Sequence, residues 1–192
     1  CRHKIFRSTL KTDIPFSIDS LFDAIKSTTK KDMEHILSAY HDNSAVIKGN
    51  GSSILEVGGD DKYKNYKGEV DTTIKVETHN HPTGISPCEG AATGSGGEIR
   101  DCTATGRVAR PKAGFMGLCI SHLRLGNELE PWEDKENKPD FLASPKDILI
   151  DAPIGSAAYN NEFGRPVIFG YFRTLEYQDL GFHKPIMLAG GI

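Results

Sequence analysis

The chain has 192 residues, 38% of them hydrophobic, which is enough for one ordinary domain or a domain and a half with a real core. A net charge of -3 and the lack of a dense Lys/Arg run argue against a nucleic-acid partner. The apolar stretches are too short to span a bilayer and the start does not resemble a signal peptide, so we expect a cytoplasmic protein with no membrane partner. Four cysteines without a C-x-x-C pair are expected to be reduced thiols.

Both ends of the sequence look like cuts through a longer polypeptide. Cys1 has no methionine before it, and the chain stops on the apolar run IMLAGGI. We therefore expect residues 1–192 to form a single domain that is a fragment of a longer multidomain protein.

The first elements are predicted from periodicity and turn residues. Apolar residues in the i, i+3, i+4, i+7 pattern predict an amphipathic helix from Ser17 to about Lys26, with Ser17 as its N-cap. A second short helix is predicted over Met33–Tyr40. Ala45–Ile47 and Ile54–Val57 are predicted to form a hairpin around a Gly-Asn-Gly-Ser turn.

The remaining elements are mostly short strands. The polar segment Gly58–Gly68 predicts an exposed loop, and a strand is predicted over Thr72–Glu77. The segment Pro145–Asp151 fits either a strand or a helix. Further strands are predicted at Lys112–Ser121, Pro166–Phe172 and Pro185–Leu188. Because strands and helices do not alternate regularly, the pattern favours an α+β fold.

The segment KVETHNHP, Lys75–Pro82, brings a cation, a carboxylate and two imidazoles to the predicted end of a strand. Since strand side chains alternate, Lys75, Glu77 and His79 would share one face. A carboxylate binds hard Mg²⁺ and a neutral imidazole accepts a proton near pH 7, so the segment suits metal binding with acid–base chemistry. Two alternatives are a zinc site of the His-x-His type and a polar strand end whose histidines are merely hydrogen-bonded.

The segment GAATGSGGEIRD, Gly90–Asp101, predicts a glycine-rich loop whose backbone approaches an anion. Glycines leave N–H groups free to hold phosphate, Arg100 offers a bidentate fork, and Glu98 or Asp101 would hold an accompanying metal. The segment lacks the Lys-Ser/Thr ending of a Walker loop and the spacing G-x-G-x-x-G. A plain flexible turn is the alternative.

Several long motifs occur along the chain in one order. Besides the two segments above they are CRHKIF at Cys1–Phe6, NNEFGRP at Asn160–Pro166, GYFRT at Gly170–Thr174 and HKPIMLAGGI at His183–Ile192. Together they closely resemble the large single-chain phosphoribosylformylglycinamidine synthases. The resemblance implies the fold of the N-terminal domain of aminoimidazole ribonucleotide synthetases, a mixed sheet with helices packed on one side.

The resemblance also implies a ligase of de novo purine biosynthesis. That family converts formylglycinamide ribonucleotide, ATP and glutamine into formylglycinamidine ribonucleotide, ADP, phosphate and glutamate. ATP phosphorylates the amide oxygen of the substrate to give an iminophosphate, and ammonia from a separate glutaminase domain displaces the phosphate. The implied partners are these substrates and the remaining domains of the same polypeptide, including the glutaminase domain.

Site roles follow from the resemblance, motif by motif. His79 would be the catalytic base or stabiliser, and Glu77 and Asp101 would hold Mg²⁺. The residues implied to bind ATP are His3, Lys75, Gly90 and Ala91. The residues implied to bind the ribonucleotide substrate are Thr78, Asn80, His81 and Arg100.

The chain departs from the family pattern at a few positions. Cys88 and Glu89 stand where the family usually has a large apolar residue and proline, and a further catalytic histidine of the family pattern would precede Cys1. We therefore expect the isolated chain to be inactive. Two alternatives are another ATP-dependent synthetase of the same fold and a non-catalytic module that holds a nucleotide.

Overall fold

The structure is a computed structural model that describes residues 2–11, 18–31, 33–106, 109–135, 137–178 and 180–192. Its backbone contacts divide the chain into two compact units, Cys1–Thr72 and Thr73–Ile192. The single domain over residues 1–192 stays a prediction. No helix within the described ranges is long and apolar enough to cross a membrane.

The described part of the first unit contains two helices and four short strands. They are α1 (Arg2–Arg7), α2 (Leu21–Thr29), β1 (Ile36–Ser38), β2 (Ala45–Ile47), β3 (Gly51–Val57) and β4 (Tyr63–Glu69). Strand β1 pairs antiparallel with β2, and β3 pairs antiparallel with β4.

Both helix predictions in this unit need correction. Helix α2 begins at Leu21, because Ser20 is the N-cap and its hydroxyl accepts a hydrogen bond from the amide of Asp23 at 3.1 Å. The predicted cap, Ser17, lies outside the described residues. The helix predicted over residues 33–40 is wrong, since β1 occupies that segment and its short apolar run finds its partner in β2.

The strands predicted at residues 45–47 and 54–57 are confirmed, but the hairpin between them and the loop after them are wrong. Strand β3 pairs with β4 from Gly51 opposite Glu69 to Val57 opposite Tyr63, so the segment predicted as a loop supplies half of a hairpin. The turn closes where the Gly58 amide donates to the Lys62 carbonyl at 2.8 Å. Because β4 is exposed along nearly its whole length, it carries no apolar alternation that would have revealed it.

The second unit is built on a four-stranded sheet in the order β5-β10-β6-β7. Its strands are β5 (Thr72–Thr78), β6 (Gly114–Ile120), β7 (Val167–Thr174) and β10 (Ile186–Gly191), with a small ladder of β8 (Glu176–Tyr177) and β9 (Leu180–Gly181). Strand β10 is antiparallel to β5 and β6, whereas β7 is parallel to β6. The helices are α3 (Asn80–Ile85), α4 (Pro87–Thr103) and α5 (Pro145–Glu162). The strand predicted at residues 72–77 and the three later predicted strands are confirmed.

The core of the second unit lies between one face of the sheet and helices α4 and α5. It contains Ala91 from α4, Met116, Leu118 and Ile120 from β6, Ile148 and Ala152 from α5, and Met187 and Ala189 from β10. The predicted α+β architecture with helices on one side of a mixed sheet is therefore confirmed. The ambiguous segment at residues 145–151 is helical, because Ser144 caps α5 and Pro145 suits its first position.

Candidate active site

The glycine-rich segment predicted as a loop lies inside helix α4, so that prediction is wrong. A glycine inside a helix costs roughly 1 kcal/mol relative to alanine, and propensity alone therefore disfavours this helix. Close packing supplies the compensation, because a Cβ on Gly90 would lie 2.4 Å from the Thr83 nitrogen and one on Gly94 would lie 2.7 Å from the His79 Cβ. These glycines therefore allow α4 to lie close to α3 and to His79.

Residues on one face of α4 meet the side chains of alternate residues of strand β5 and of His79 just after it. On the helix this face carries residues at the i, i+4, i+7, i+11 spacing, and on the strand it carries alternate residues. The neighbours are Gly94 with His79, Gly97 with Glu77, and Asp101 with Lys75. We call this set of residues, together with Gly90 and Arg100, the α4–β5 interface. Lys75, Glu77 and His79, which were predicted to share a face, all face α4.

Four charged side chains meet at one end of this interface. Lys75 Nζ lies 2.7 Å from Asp101 Oδ2 and 3.9 Å from Glu77 Oε2. Arg100 binds the other Asp101 oxygen, with Nη2 at 2.9 Å and Nε at 3.0 Å. The Oε2 atom of Glu77 is buried and has no hydrogen-bond partner among the described residues. Two cations and two carboxylates thus balance, and Glu77 Oε2, although ion-paired with Lys75, is left without a hydrogen bond among the described residues.

The environment keeps Asp101 ionised at neutral pH. Burial raises the pKa of this carboxyl, but the hydrogen bonds and charges of Lys75 and Arg100 lower it by more, so its pKa lies below the usual range. The pKa of Arg100 is raised by its hydrogen bond to Asp101.

His79 follows β5 directly and is held by several contacts. Its ring atom Nδ1 lies 2.6 Å from the Gly90 carbonyl oxygen. Its amide donates to the Met187 carbonyl at 2.9 Å, and the Thr83 hydroxyl donates to the His79 carbonyl at 2.6 Å. These contacts hold the His79 ring against α4, on the same face of the helix as the charged group.

The other predicted site residues differ in how far their side chains are exposed to solvent. Thr78 and His81 are exposed, and His81 and Gly90 line one surface pocket of about 320 Å³ between α3 and the start of α4. Asn80 is buried and its Oδ1 accepts a hydrogen bond from the Met187 amide at 3.0 Å. The side chain of Ala91 is fully buried in the core. The side chain of His3 lies outside the described residues.

A buried ion pair beneath the interface was missed at the sequence level. Arg165 binds Glu98 through Nη1 to Oε2 at 2.5 Å and Nη2 to Oε1 at 3.0 Å, and both side chains are at most 1% exposed. Arg165 also donates to the Ala113 carbonyl and to Asn160 Oδ1. Glu98, predicted as a possible metal ligand, is therefore occupied. The sequence carried no clear signal for this pair, because the buried stripe at residues 95, 98, 99 and 102 of α4 is visible only in the structure.

The described cysteines Cys88, Cys102 and Cys119 are free thiols, as predicted. Burial and the neighbouring Glu98 carboxylate raise the pKa of Cys102 to about 12, so this thiol is protonated at neutral pH and donates to Glu98 Oε1 at 3.3 Å.

A separate polar cluster joins the end of β6 to the β8–β9 ladder. Arg124 donates to both carboxylate oxygens of Glu176, and the Glu176 amide donates to His122 Nε2 at 3.3 Å. Burial raises the pKa of Glu176, while Arg124, Ser121 and the His122 backbone lower it by more, so the net pKa is below the ordinary value of 4.5.

This lowered pKa predicts a pH-dependent stability difference between the unaltered chain and Glu176→Gln. Because the folded state holds the proton less tightly than the unfolded state, the stabilisation by Glu176 is complete above pH 4.5 and is lost as the pH falls through the folded pKa. Thermal unfolding of both proteins between pH 7 and pH 3 should show the unaltered chain more stable at pH 7 and the difference shrinking in acid. A constant difference over this range would contradict the assignment.

No known protein-family profile matches the chain. Similar solved structures include T. maritima PurL complexed with ADP, 28% identical over 86% of this chain and 21% of that one, with a TM-score of 0.48. The same protein complexed with FGAR is 29% identical over 86% and 20%, with a TM-score of 0.47. Phosphoribosylformylglycinamidine synthase II from Thermotoga maritima is 29% identical over 86% and 21%, with a TM-score of 0.40.

The chain spans about a fifth of the length of these structures. The resemblance predicted from the ordered motifs is confirmed as a similarity to part of those proteins.

Proposed function

We propose that the chain forms part of an ATP-dependent carbon–nitrogen ligase, a phosphoribosylformylglycinamidine synthase of purine biosynthesis. In this reaction ATP phosphorylates the amide oxygen of formylglycinamide ribonucleotide, and glutamine-derived ammonia then displaces the phosphate. The single observation that carries the proposal is the α4–β5 interface, which places a lysine, two carboxylates and a histidine along one helix–strand contact. The remaining domains, including a glutaminase, and a cytoplasmic setting belong to the same proposal.

Phosphoryl transfer requires positioning and charge neutralisation more than covalent chemistry. Lys75 is partly exposed and lies between Asp101 and Glu77, so its ammonium is available to a phosphate while remaining oriented. Arg100, whose side chain is 71% exposed, extends a second cation toward solvent. We therefore assign Lys75 to the phosphates of ATP and Arg100 to the anionic ribonucleotide.

Glu77 and Asp101 fit a magnesium ion by their chemistry. Both offer carboxylate oxygens, the ligand type that Mg²⁺ prefers, and the buried Oε2 of Glu77 lacks a partner among the described residues. Within the described ranges no group of three or more His, Cys, Asp or Glu side chains is arranged to hold a metal. Mg²⁺ commonly uses one or two carboxylates and completes its shell with water and phosphate. When bound, the ion would neutralise charge on the phosphates.

His79 is proposed to act on the substrate amide. The amide oxygen becomes a better nucleophile as its N–H proton leaves, and a histidine held beside the charged group is suited to accept that proton. Thr78 and His81 are exposed on either side of it and are proposed to line the ribonucleotide site. Because Asn80 and Ala91 are buried, their side chains are not proposed to touch a ligand. Like Gly90, they would support the site by holding the backbone around it.

The proposal is tested by isothermal calorimetry on the full-length protein with Mg·ATP and with formylglycinamide ribonucleotide. Both should bind, and Glu77→Gln should weaken Mg·ATP binding by about tenfold or more, the equivalent of ~1.4 kcal/mol. Glu162→Gln removes a carboxylate at the exposed end of α5 and is the matched control, with unchanged affinity. Unchanged Mg·ATP affinity in Glu77→Gln would contradict the metal assignment. Nucleotide binding without ribonucleotide binding would favour a non-catalytic module.

A further inference from the structure

We propose that Gly90 and Gly94 are positioning residues for His79. They leave space for its ring to lie against α4, and they hold the ring as the Nδ1–H tautomer with Nε2 left free. The tautomer follows from this chain's own geometry. Its meaning for catalysis rests on the proposed function.

The first step is the hydrogen bond between His79 and Gly90. The Nδ1 atom and the carbonyl oxygen are 2.6 Å apart, and a carbonyl oxygen can only accept. The hydrogen must therefore be on Nδ1. In a neutral imidazole only one nitrogen carries a hydrogen, so Nε2 keeps its lone pair and is the atom available to a substrate.

The second step is the absence of side chains at two helical positions. A Cβ on Gly94 would lie 2.7 Å from His79 Cβ and 3.0 Å from Met187 Sδ, so any larger residue would push the histidine away from the helix. A Cβ on Gly90 would lie within 2.5 Å of the Pro82 and Thr83 backbone, which belongs to helix α3 directly after His79. Both glycines are therefore needed for the ring to reach the Gly90 carbonyl.

The third step is that the His79 backbone cannot easily compensate. Its amide and carbonyl are bonded to Met187 and Thr83, on β10 and α3 respectively. A side chain at position 94 would therefore tilt the ring or break these bonds. Misplacing a catalytic group by about 1 Å is enough to cost roughly 100-fold in rate.

The tautomer is measured directly by ¹⁵N solid-state NMR of the full-length protein labelled at histidine, with the His79 signals identified by their loss in His79→Asn. The expected spectrum has a protonated Nδ1 and a bare Nε2. A bare Nδ1 with a protonated Nε2 overturns the inference. This measurement on the unaltered protein decides the matter even where a variant fails to fold.

The positioning role is measured by steady-state kinetics of Gly94→Ala against Gly96→Ala. The atoms nearest to a Cβ on Gly96 belong to the ring end of Tyr159, an exposed side chain that stacks on Phe163. This variant therefore disturbs a surface aromatic pair and not His79, and it is the matched control on the same helix. We expect Gly94→Ala to lower kcat by about 100-fold with little change in KM, and Gly96→Ala to keep kcat. Equal kcat values in the two variants overturn the positioning role.

The two proposals fail in different ways. An Nδ1–H tautomer in a protein whose His79→Ala variant keeps full turnover supports the geometry and overturns the proposed role of His79. Lost turnover in His79→Ala together with an Nε2–H tautomer supports that role and overturns the inference.

Discussion

Arg165→Met is expected to lower the free energy of unfolding by about 3–5 kcal/mol, because it leaves the Glu98 carboxylate uncompensated in the interior. Arg165 and Glu98 are at most 1% exposed, so water cannot replace the lost guanidinium. The same guanidinium also binds the Ala113 carbonyl and Asn160, and it therefore ties α4, the end of α5 and the segment before β6 together. Urea unfolding followed by circular dichroism measures the loss.

A double variant separates the cost of an unpaired charge from the value of the pair. Replacing a buried ion pair by apolar residues of similar volume is often close to neutral, so Glu98→Met combined with Arg165→Met should recover most of the lost stability. Arg173→Met is the matched control, since Arg173 is exposed, donates to the neighbouring Phe172 carbonyl and lies over the exposed Tyr171 ring. Surface substitutions of this kind usually change stability by less than about 0.5 kcal/mol. A loss below about 1 kcal/mol in Arg165→Met would contradict the structural role.

His79→Ala in the full-length protein is expected to lower formation of the amidine product by about 10²- to 10⁴-fold, the usual contribution of a positioned general acid–base group. The glutaminase reaction should be spared, because the proposal assigns it to another domain. Parallel assays of ADP formation from ATP and of glutamate release from glutamine measure the two activities.

His41→Ala is the matched control for this experiment, because His41 is an exposed histidine of the first unit and should leave both activities unchanged. The hydrogen bond between His79 and Gly90 is worth about 1 kcal/mol of stability, too little to unfold the chain. A loss of turnover with a normal unfolding transition therefore reports on chemistry. Amidine formation at the level of the unaltered enzyme would refute the assignment.

Strands β6 and β10 were predictable because burial leaves an apolar signature, and the exposed β7 was predictable because it is rich in β-branched and aromatic residues. Strand β6 is buried at five of its seven residues, and β10 alternates partly buried and buried residues over Ile186–Ala189. Strand β4 could not be recognised, since it is exposed on both faces and is defined only by its pairing with β3. Hydrogen bonds between backbones do not depend on side-chain type, so such a strand leaves little trace in the sequence.

The candidate site was predictable in its residue types and only partly in its arrangement. The alternation of Lys75, Glu77 and His79 placed them on one face, because side chains of a strand repeat with a period of two. The structure adds the partner of that face, helix α4, whose glycines suggested a loop. Helix propensity disfavours α4, because it contains several glycines. The contacts that compensate for this cost come from other elements of the fold.

The sequence by itself determined which chemical groups the segment Lys75–Pro82 carries and that they follow a strand, since both depend on local composition and spacing. The tertiary structure decided which groups meet. It pairs Lys75 with Asp101, brings His79 to the Gly90 carbonyl, and assigns Glu98 to Arg165 and so to stability. These pairings join residues that are far apart in sequence, and they appear only when the fold brings the elements together. For His79, the glycines of α4 leave the space that its ring needs.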